Sequence, residues 1–261
     1  MTERVGFFTD TTLCIGCKAC EVACKEWNHV PEDGLNFLGT SYDNTGELGA
    51  NTWRHVAFVE QTKPVQVESD GAGELRWLMS SDVCKHCTHA ACLDVCPTGS
   101  LFRTEFGTVV VQEDICNGCG YCVPACPFGV IDKREDDGRV WKCTLCYDRV
   151  GVGLEPACAK ACPTKSIQFG PLDELRLRAR ERVVELRERG ETDARLYGAD
   201  SDDGVGGMGA FFLLLDDPEV YRLPPDPAVT TRDLPSMWKA AGAAALAMAA
   251  AMVASFVGER R

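Results

Sequence analysis

The chain has 261 residues, 45% of them hydrophobic, with 16 cysteines and a formal charge of −12. That length suits one or two domains around a packed core, and the acidic balance argues against a nucleic-acid partner. The opening residues, MTERVGFFTD, show neither the basic nor the apolar region of a secretory signal, so a disulfide-stapled secreted scaffold is not expected.

In chain order, a short apolar stretch, VGFF at 5–8, reads as a strand leading into the first cysteine run, Cys14, Cys17, Cys20 and Cys24. Three thiolates spaced three residues apart can close on three corners of one iron-sulfur cubane. A fourth, four residues on and usually followed by proline, reaches the neighbouring cluster. Structural zinc would call for two C-x-x-C pairs instead of triplets. Residues 25–83 read as an insertion. It opens on the loop-like DNTGELGAN and continues into two strands, HVAFVE and LRWLM, with Asp70 and Gly71 supplying turn chemistry between them. Trp53 and Trp77 read as buried packing aromatics. His29, His55, His86 and His89 read as structural or surface residues, the last two lying inside a cysteine run where thiolates already serve as ligands.

The second run is Cys84, Cys87, Cys92 and Cys96, and after 19 intervening residues comes the third, Cys116, Cys119, Cys122 and Cys126. Between them SLFRTEFGTVVV alternates as a hairpin about Gly107, so residues 84–127 are expected to form one two-cluster module. A second hairpin, VIDKREDDGRVW about Asp137 and Gly138, leads to the last run, Cys143, Cys146, Cys158 and Cys162. CPTGSLF, CPFGVID and CPTKSIQF repeat one pattern, in which cysteine and proline are followed by a short strand. The strand SIQF at 166–169 mirrors VGFF, so residues 1–24 and 128–170 are expected to form an outer module in which the inner one is nested. Because the fourth cysteine of a run serves the other cluster, the expected ligand sets are Cys14, Cys17, Cys20 with Cys162; Cys143, Cys146, Cys158 with Cys24; Cys84, Cys87, Cys92 with Cys126; and Cys116, Cys119, Cys122 with Cys96. No cysteine is left over, and four [4Fe-4S] clusters are expected.

Residues 171–233 begin with PLDELRLRARERVVELRERG, an amphipathic helix started by Pro171 and ended by Gly190, with Leu172, Leu175, Ala179, Val183 and Leu186 on one face. After it, a loop-rich wrap around a single strand, AFFLLL, is expected. Its GVGGMG at 204–209 lacks the preceding strand and following helix of a nucleotide loop. Residues 234–261 read as an anchor. Ala240 to Val257 carry no charge and as a helix would span about 27 Å, close to a bilayer's hydrocarbon core. Alanine-rich composition favours close helix packing, so this helix is expected to lie against a membrane partner as well as lipid, beginning near the interfacial Trp238. Arg232 and Lys239 on one side balance Arg260 and Arg261 on the other, so charge does not orient it.

Four nested cluster runs, the segment ELRERG, the stretch YGADSDDGVGGMGAFFLLLDDPEVYRLPPDP and the helix WKAAGAAALAMAAAMVASFV together resemble the iron-sulfur (beta) subunit of membrane-bound respiratory formate dehydrogenase. The resemblance implies an α+β fold of two ferredoxin-like modules. It also implies a non-catalytic electron-transfer role between a molybdenum or tungsten pterin subunit that oxidises formate and a membrane cytochrome b that reduces quinone. The cluster domain is then expected on the extracytoplasmic side, carried across folded with a partner that bears a twin-arginine signal, with the cytoplasmic side as the alternative. The equivalent subunit of a membrane hydrogenase or another pterin oxidoreductase is the second reading.

Overall fold

The computed structural model of the chain describes residues 3–34, 42–43, 45–63, 74–229 and 231–258. Two compact units are present, Met1–Val229 and Thr230–Arg261. In the first, β1 (Val5–Asp10) runs into α1 (Ala19–Asn28), followed by the long strands β2 (Arg54–Lys63) and β3 (Glu74–Val83). Next come the short helix α2 (Ala91–Asp94), the hairpin β4 (Leu101–Arg103) and β5 (Val109–Val111), α3 (Cys122–Ala125), and the hairpin β6 (Asp132–Lys133) and β7 (Val140–Trp141). The unit continues through α4 (Tyr147–Gly151), α5 (Ala157–Lys160), β8 (Ile167–Pro171), α6 (Leu172–Glu188), β9 (Arg195–Tyr197) and β10 (Ala210–Leu214). The second unit holds α7 (Leu234–Gly258).

One four-stranded sheet, ordered β8, β1, β10, β9, ties the first residues of the chain to those beyond 160. β1 pairs antiparallel with β8, setting Phe7 opposite Phe169, and parallel with β10, setting Phe7 opposite Ala210. The close approach depends on Gly6, because a Cβ there would lie 2.0 Å from the Gly209 carbonyl oxygen and 2.4 Å from Leu172 Cδ1. AFFLLL is therefore not the centre of a peripheral wrap. It is an interior strand of this sheet, buried along its whole length from Ala210 to Leu214 and flanked by β9, a strand that the local pattern does not announce. A strand covered on both faces carries an uninterrupted apolar run, and Phe8 stacks on Phe211 with ring centroids 5.3 Å apart.

Helix α6 buries the five residues expected from its period, Leu172, Leu175, Ala179, Val183 and Leu186. Each buried leucine contributes about 2 kcal/mol. The helix is also pinned electrostatically, since Arg182 Nε donates to the buried Asp10 carboxylate at 3.1 Å. Its end comes at Gly190, whose φ of +100° lets the chain reverse.

β2 and β3 pair antiparallel from Arg54 opposite Val83 outward. The turn expected at Asp70 and Gly71 lies outside the described residues. Both shorter hairpins form as expected, with Leu101 opposite Val111 and Asp132 opposite Trp141. In the second unit, Leu234–Phe256 is long and apolar enough to cross a membrane; Arg260 and Arg261 lie outside the described residues.

Candidate iron-sulfur centres

All four runs share one backbone device. The residue two places after the first cysteine takes a left-handed conformation each time: Gly16 (φ 66°), His86 (φ 44°), Gly118 (φ 71°) and Leu145 (φ 58°). Glycine adopts this freely, whereas His86 and Leu145 hold it at a cost of about 1–3 kcal/mol, which only a surrounding that over-determines the loop sustains. The turn folds the loop back on its own cysteine, so that the Leu145 N–H donates to Cys143 Sγ at 3.3 Å. At Gly118 a Cβ would meet the Gly138 carbonyl oxygen at 2.2 Å, so the β6–β7 turn is seated directly on the third run. At Gly16 it would meet Phe58 at 2.6 Å and Met79 at 2.7 Å, both on the β2–β3 hairpin. The insertion thus covers the first run.

The sixteen cysteines are all free, and they gather by space instead of by run. Cys14, Cys17, Cys20 and Cys162 line one cavity, and Cys84, Cys87, Cys92 and Cys126 line another. Burial holds Cys24 well above the ordinary thiol range, and the neighbouring thiols of Cys143, Cys158 and Cys146 push it the same way. Asn28 sits between two of these sulfurs, its Nδ2 at 3.7 Å from Cys24 Sγ and 3.8 Å from Cys146 Sγ. Cys122 is pushed up to about 12 by burial, with Cys119, Cys96 and Cys116 adding to the effect. Burial likewise pushes Cys14 and Cys20 up to about 11 and Cys92 up to about 12.

Thiols held this high stay protonated until a bound metal takes the proton's place on sulfur and the proton leaves to solvent. Four sulfurs lining one cavity, as Cys14, Cys17, Cys20 and Cys162 do, suit a cubane with one iron per corner.

The groups are also electrostatic neighbours in order. Cys158 acts on Cys20, Cys84 on Cys143 and Cys122 on Cys92. This gives a line from the Cys14 group through the Cys143 group and the Cys84 group to the Cys116 group. The exposed cysteines, Cys17 and Cys119, belong to the two end groups. Exposed apolar side chains flank each, Ile15 and Val22 at one end and Ile115 and Tyr121 at the other.

Around the sulfurs lie polar contacts that the cysteine spacing alone did not reveal. The threonines of both CPT repeats stand beside sulfur, Thr98 Oγ1 at 3.7 Å from Cys96 and Thr164 Oγ1 at 3.8 Å from Cys162. The repeated C-P-T triplet is the signal that could have disclosed them. For Cys96, burial is outweighed by the N–H of Leu101 and the hydroxyl and N–H of Thr98, so its thiol falls below the ordinary value. Four buried cations accompany the groups, Arg54, Lys85, Lys142 and Arg149.

His86 is buried, and its Nδ1 accepts the Val109 N–H at 3.1 Å, which leaves the ring proton on Nε2. Burial drives its pKa well down, so the ring is neutral. His55 is buried against Asp43, while His29 and His89 are exposed. Trp53 is buried and stacks on Trp141 with centroids 6.3 Å apart. Trp77 departs from expectation. It is 49% exposed because its position on β3 faces outward, where it leans on Tyr42. GVGGMG packs on the second run, with the His89 N–H donating to the Val205 carbonyl at 2.7 Å and the Thr88 N–H to that of Gly207 at 2.9 Å.

Two family profiles, each described as a 4Fe-4S dicluster domain, match residues 13–100 and 75–172. The iron-sulfur subunit of the nitrate-inducible formate dehydrogenase of Escherichia coli K12 is 42% identical over 259 residues, covering 98% of this chain and 83% of that protein. The iron-sulfur subunit of formate dehydrogenase-O from the same organism is 41% identical, with 98% and 84% covered. A subunit of the anaerobic dimethyl sulfoxide reductase of that organism is 39% identical over 67% of this chain and 78% of its own length. The chain belongs to the family of formate dehydrogenase iron-sulfur subunits, as a non-catalytic electron-transfer subunit that carries four [4Fe-4S] clusters.

Proposed function

We propose that the chain carries electrons, one at a time, from a molybdenum or tungsten pterin subunit that oxidises formate to a membrane cytochrome b that reduces quinone. The observation that carries this reading is the gathering of the sixteen cysteines into four neighbouring groups, with the exposed Cys17 and Cys119 in different ones. When bound, the clusters supply reversible one-electron storage. Every other task falls to the protein.

Cys14, Cys17, Cys20 and Cys162 hold the first cluster, and Cys143, Cys146, Cys158 and Cys24 the next. Cys84, Cys87, Cys92 and Cys126 hold the third, and Cys116, Cys119, Cys122 and Cys96 the last. The left-handed loops and the CPT threonines aim N–H and O–H groups at the ligand sulfurs, which raises potentials, and apolar residues exclude water around the middle groups. Residues 1–24 and 128–170 act as the outer module and 84–127 as the inner one, with the 25–83 hairpin as a cover. The apolar rims at Ile15 and Val22 and at Ile115 and Tyr121 suit the donor and acceptor subunits.

The C-terminal helix anchors the chain in the bilayer beside the cytochrome subunit, with the cluster domain on the extracytoplasmic side. Labelling of lysines by a membrane-impermeant reagent in intact spheroplasts tests that sidedness, since protection until lysis would move the domain to the cytoplasm. Likeness to the dimethyl sulfoxide reductase subunit supports a second reading, in which another pterin oxidoreductase is the partner. Purifying the chain with its native partners separates the two. Formate should reduce the clusters, and a complex that formate leaves oxidised would overturn the first reading.

A further inference from the structure

Among the described residues no carboxylate pairs with Arg54. It begins β2, in the insertion that supplies no cluster ligand, yet its side chain is only 1% exposed. Nη1 donates to the Ser81 carbonyl at 3.2 Å and to Ser81 Oγ at 3.0 Å, and the guanidinium carbon lies 4.9 Å from the centre of the Phe7 ring. Nε and Nη2 are buried without an acceptor. The other buried cations differ, and Arg149 Nε donates to the Glu155 carbonyl at 2.7 Å. Lys85 pairs with Asp82, and Lys142 donates to the carbonyls of Val109 and Cys143.

A guanidinium cannot discharge itself by losing a proton, and an uncompensated buried charge is strongly unfavourable. Something anionic must therefore face Arg54. The thiolates that Cys158, Cys143, Cys24 and Cys20, all electrostatic neighbours of Arg54, would become on holding clusters supply this. Ser81 Oγ, the acceptor of Nη1, stands 3.2 Å from Cys20 Sγ. Although burial works against its charge, these thiols outweigh it and the guanidinium is held upward.

The geometry points to Arg54 as a fixed positive charge set between the first two clusters, tuning the potentials of both through the N–H groups of its free Nε and Nη2 and offsetting the mutual repulsion of the anionic clusters. This rests on the proposed ligand sets for those clusters. A cation at this place makes the reduced form of each neighbour easier to reach and eases the arrival of an electron while the adjoining cluster is already reduced. No bond forms or breaks and no proton moves, because the charge is permanent.

The test is a potentiometric titration followed by electron paramagnetic resonance on the complete complex, comparing wild type, Arg54→Gln and Arg54→Lys at matched iron content. With Arg54→Gln, two of the four midpoints should move to more negative values by about tenfold in the reduction equilibrium, which is about 59 mV for a one-electron couple. The other two should stay in place, and Arg54→Lys should stay near wild type at all four. Four unchanged midpoints in Arg54→Gln would overturn the inference. If Arg54→Gln loses iron, Arg54→Lys decides: full iron with native midpoints supports a charge role, and lost iron or displaced midpoints refutes it. Failure of the ligand sets themselves would be seen separately, in paired cysteine substitutions, where Cys24→Ser with Cys158→Ser would hold about eight irons and not about twelve.

Discussion

Replacing Cys24 with serine separates ligation across the chain from ligation within a run. Cys24 sits on α1 directly after Cys14, Cys17 and Cys20 in sequence, yet its sulfur shares Asn28 with Cys146 and neighbours Cys143 and Cys158. The site is 6% exposed, and serine is close to cysteine in size, so the fold should survive with a loss of about 1 kcal/mol. The effect falls on iron. Four cubanes hold about sixteen irons, so losing one whole cluster leaves about twelve, while losing a single corner iron leaves about fifteen.

Pairs of substitutions then identify the cluster, because two changes in one site do not add whereas changes in separate sites do. If each single substitution empties its cluster, Cys24→Ser with Cys158→Ser should still hold about twelve irons, and Cys24→Ser with Cys17→Ser about eight. The assay is iron and acid-labile sulfide per chain, supported by the resonance spectrum of the reduced protein. The opposite pattern, about eight irons for the first pair and about twelve for the second, would refute the cross-chain assignment.

Gly6→Ala should destabilise the first unit by about 3 kcal/mol, the upper range for overpacking, since the new methyl meets the Gly209 carbonyl oxygen at 2.0 Å; a melting temperature equal to wild type would contradict the parallel pairing of β1 with β10. Asp43 accepts from His55 and from the backbone of Thr45 and Gly46. Burial opposes ionisation, but these bonds prevail and hold the carboxyl below its usual range. A depressed carboxylate stabilises above the unfolded value, about 3.9, and that contribution disappears as pH falls through the lower folded value. Melting curves of wild type and Asp43→Asn should therefore differ at neutral pH and converge in acid, and a constant gap would dismiss the pair. Truncation after Asp233 should shift the chain from membrane to soluble fractions on flotation, and continued flotation of the truncated chain alone would argue against the helix as anchor.

What could be read from the chain directly was local. Cysteine spacing of three residues, with a left-handed turn two places after the first, is a property of a short loop, and it shows through whether glycine or leucine fills the turn. The buried face of α6 was legible for the same reason, because one helical period brings Leu172, Leu175, Ala179, Val183 and Leu186 into line. Flanking strands were enough to suggest nesting, since VGFF and SIQF match in character and β1 and β8 pair.

Long-range partners were decided only by the tertiary structure. AFFLLL becomes an interior strand because Gly6 and Gly209 allow two distant backbones to meet, and no local pattern records that meeting. Trp77 lies exposed because strand register, and not aromatic character, chooses the face. Nothing in the sequence singled out Arg54, which stands just before HVAFVE. The fold buries it among sulfurs from distant runs, where a permanent charge carries weight that water would otherwise have screened.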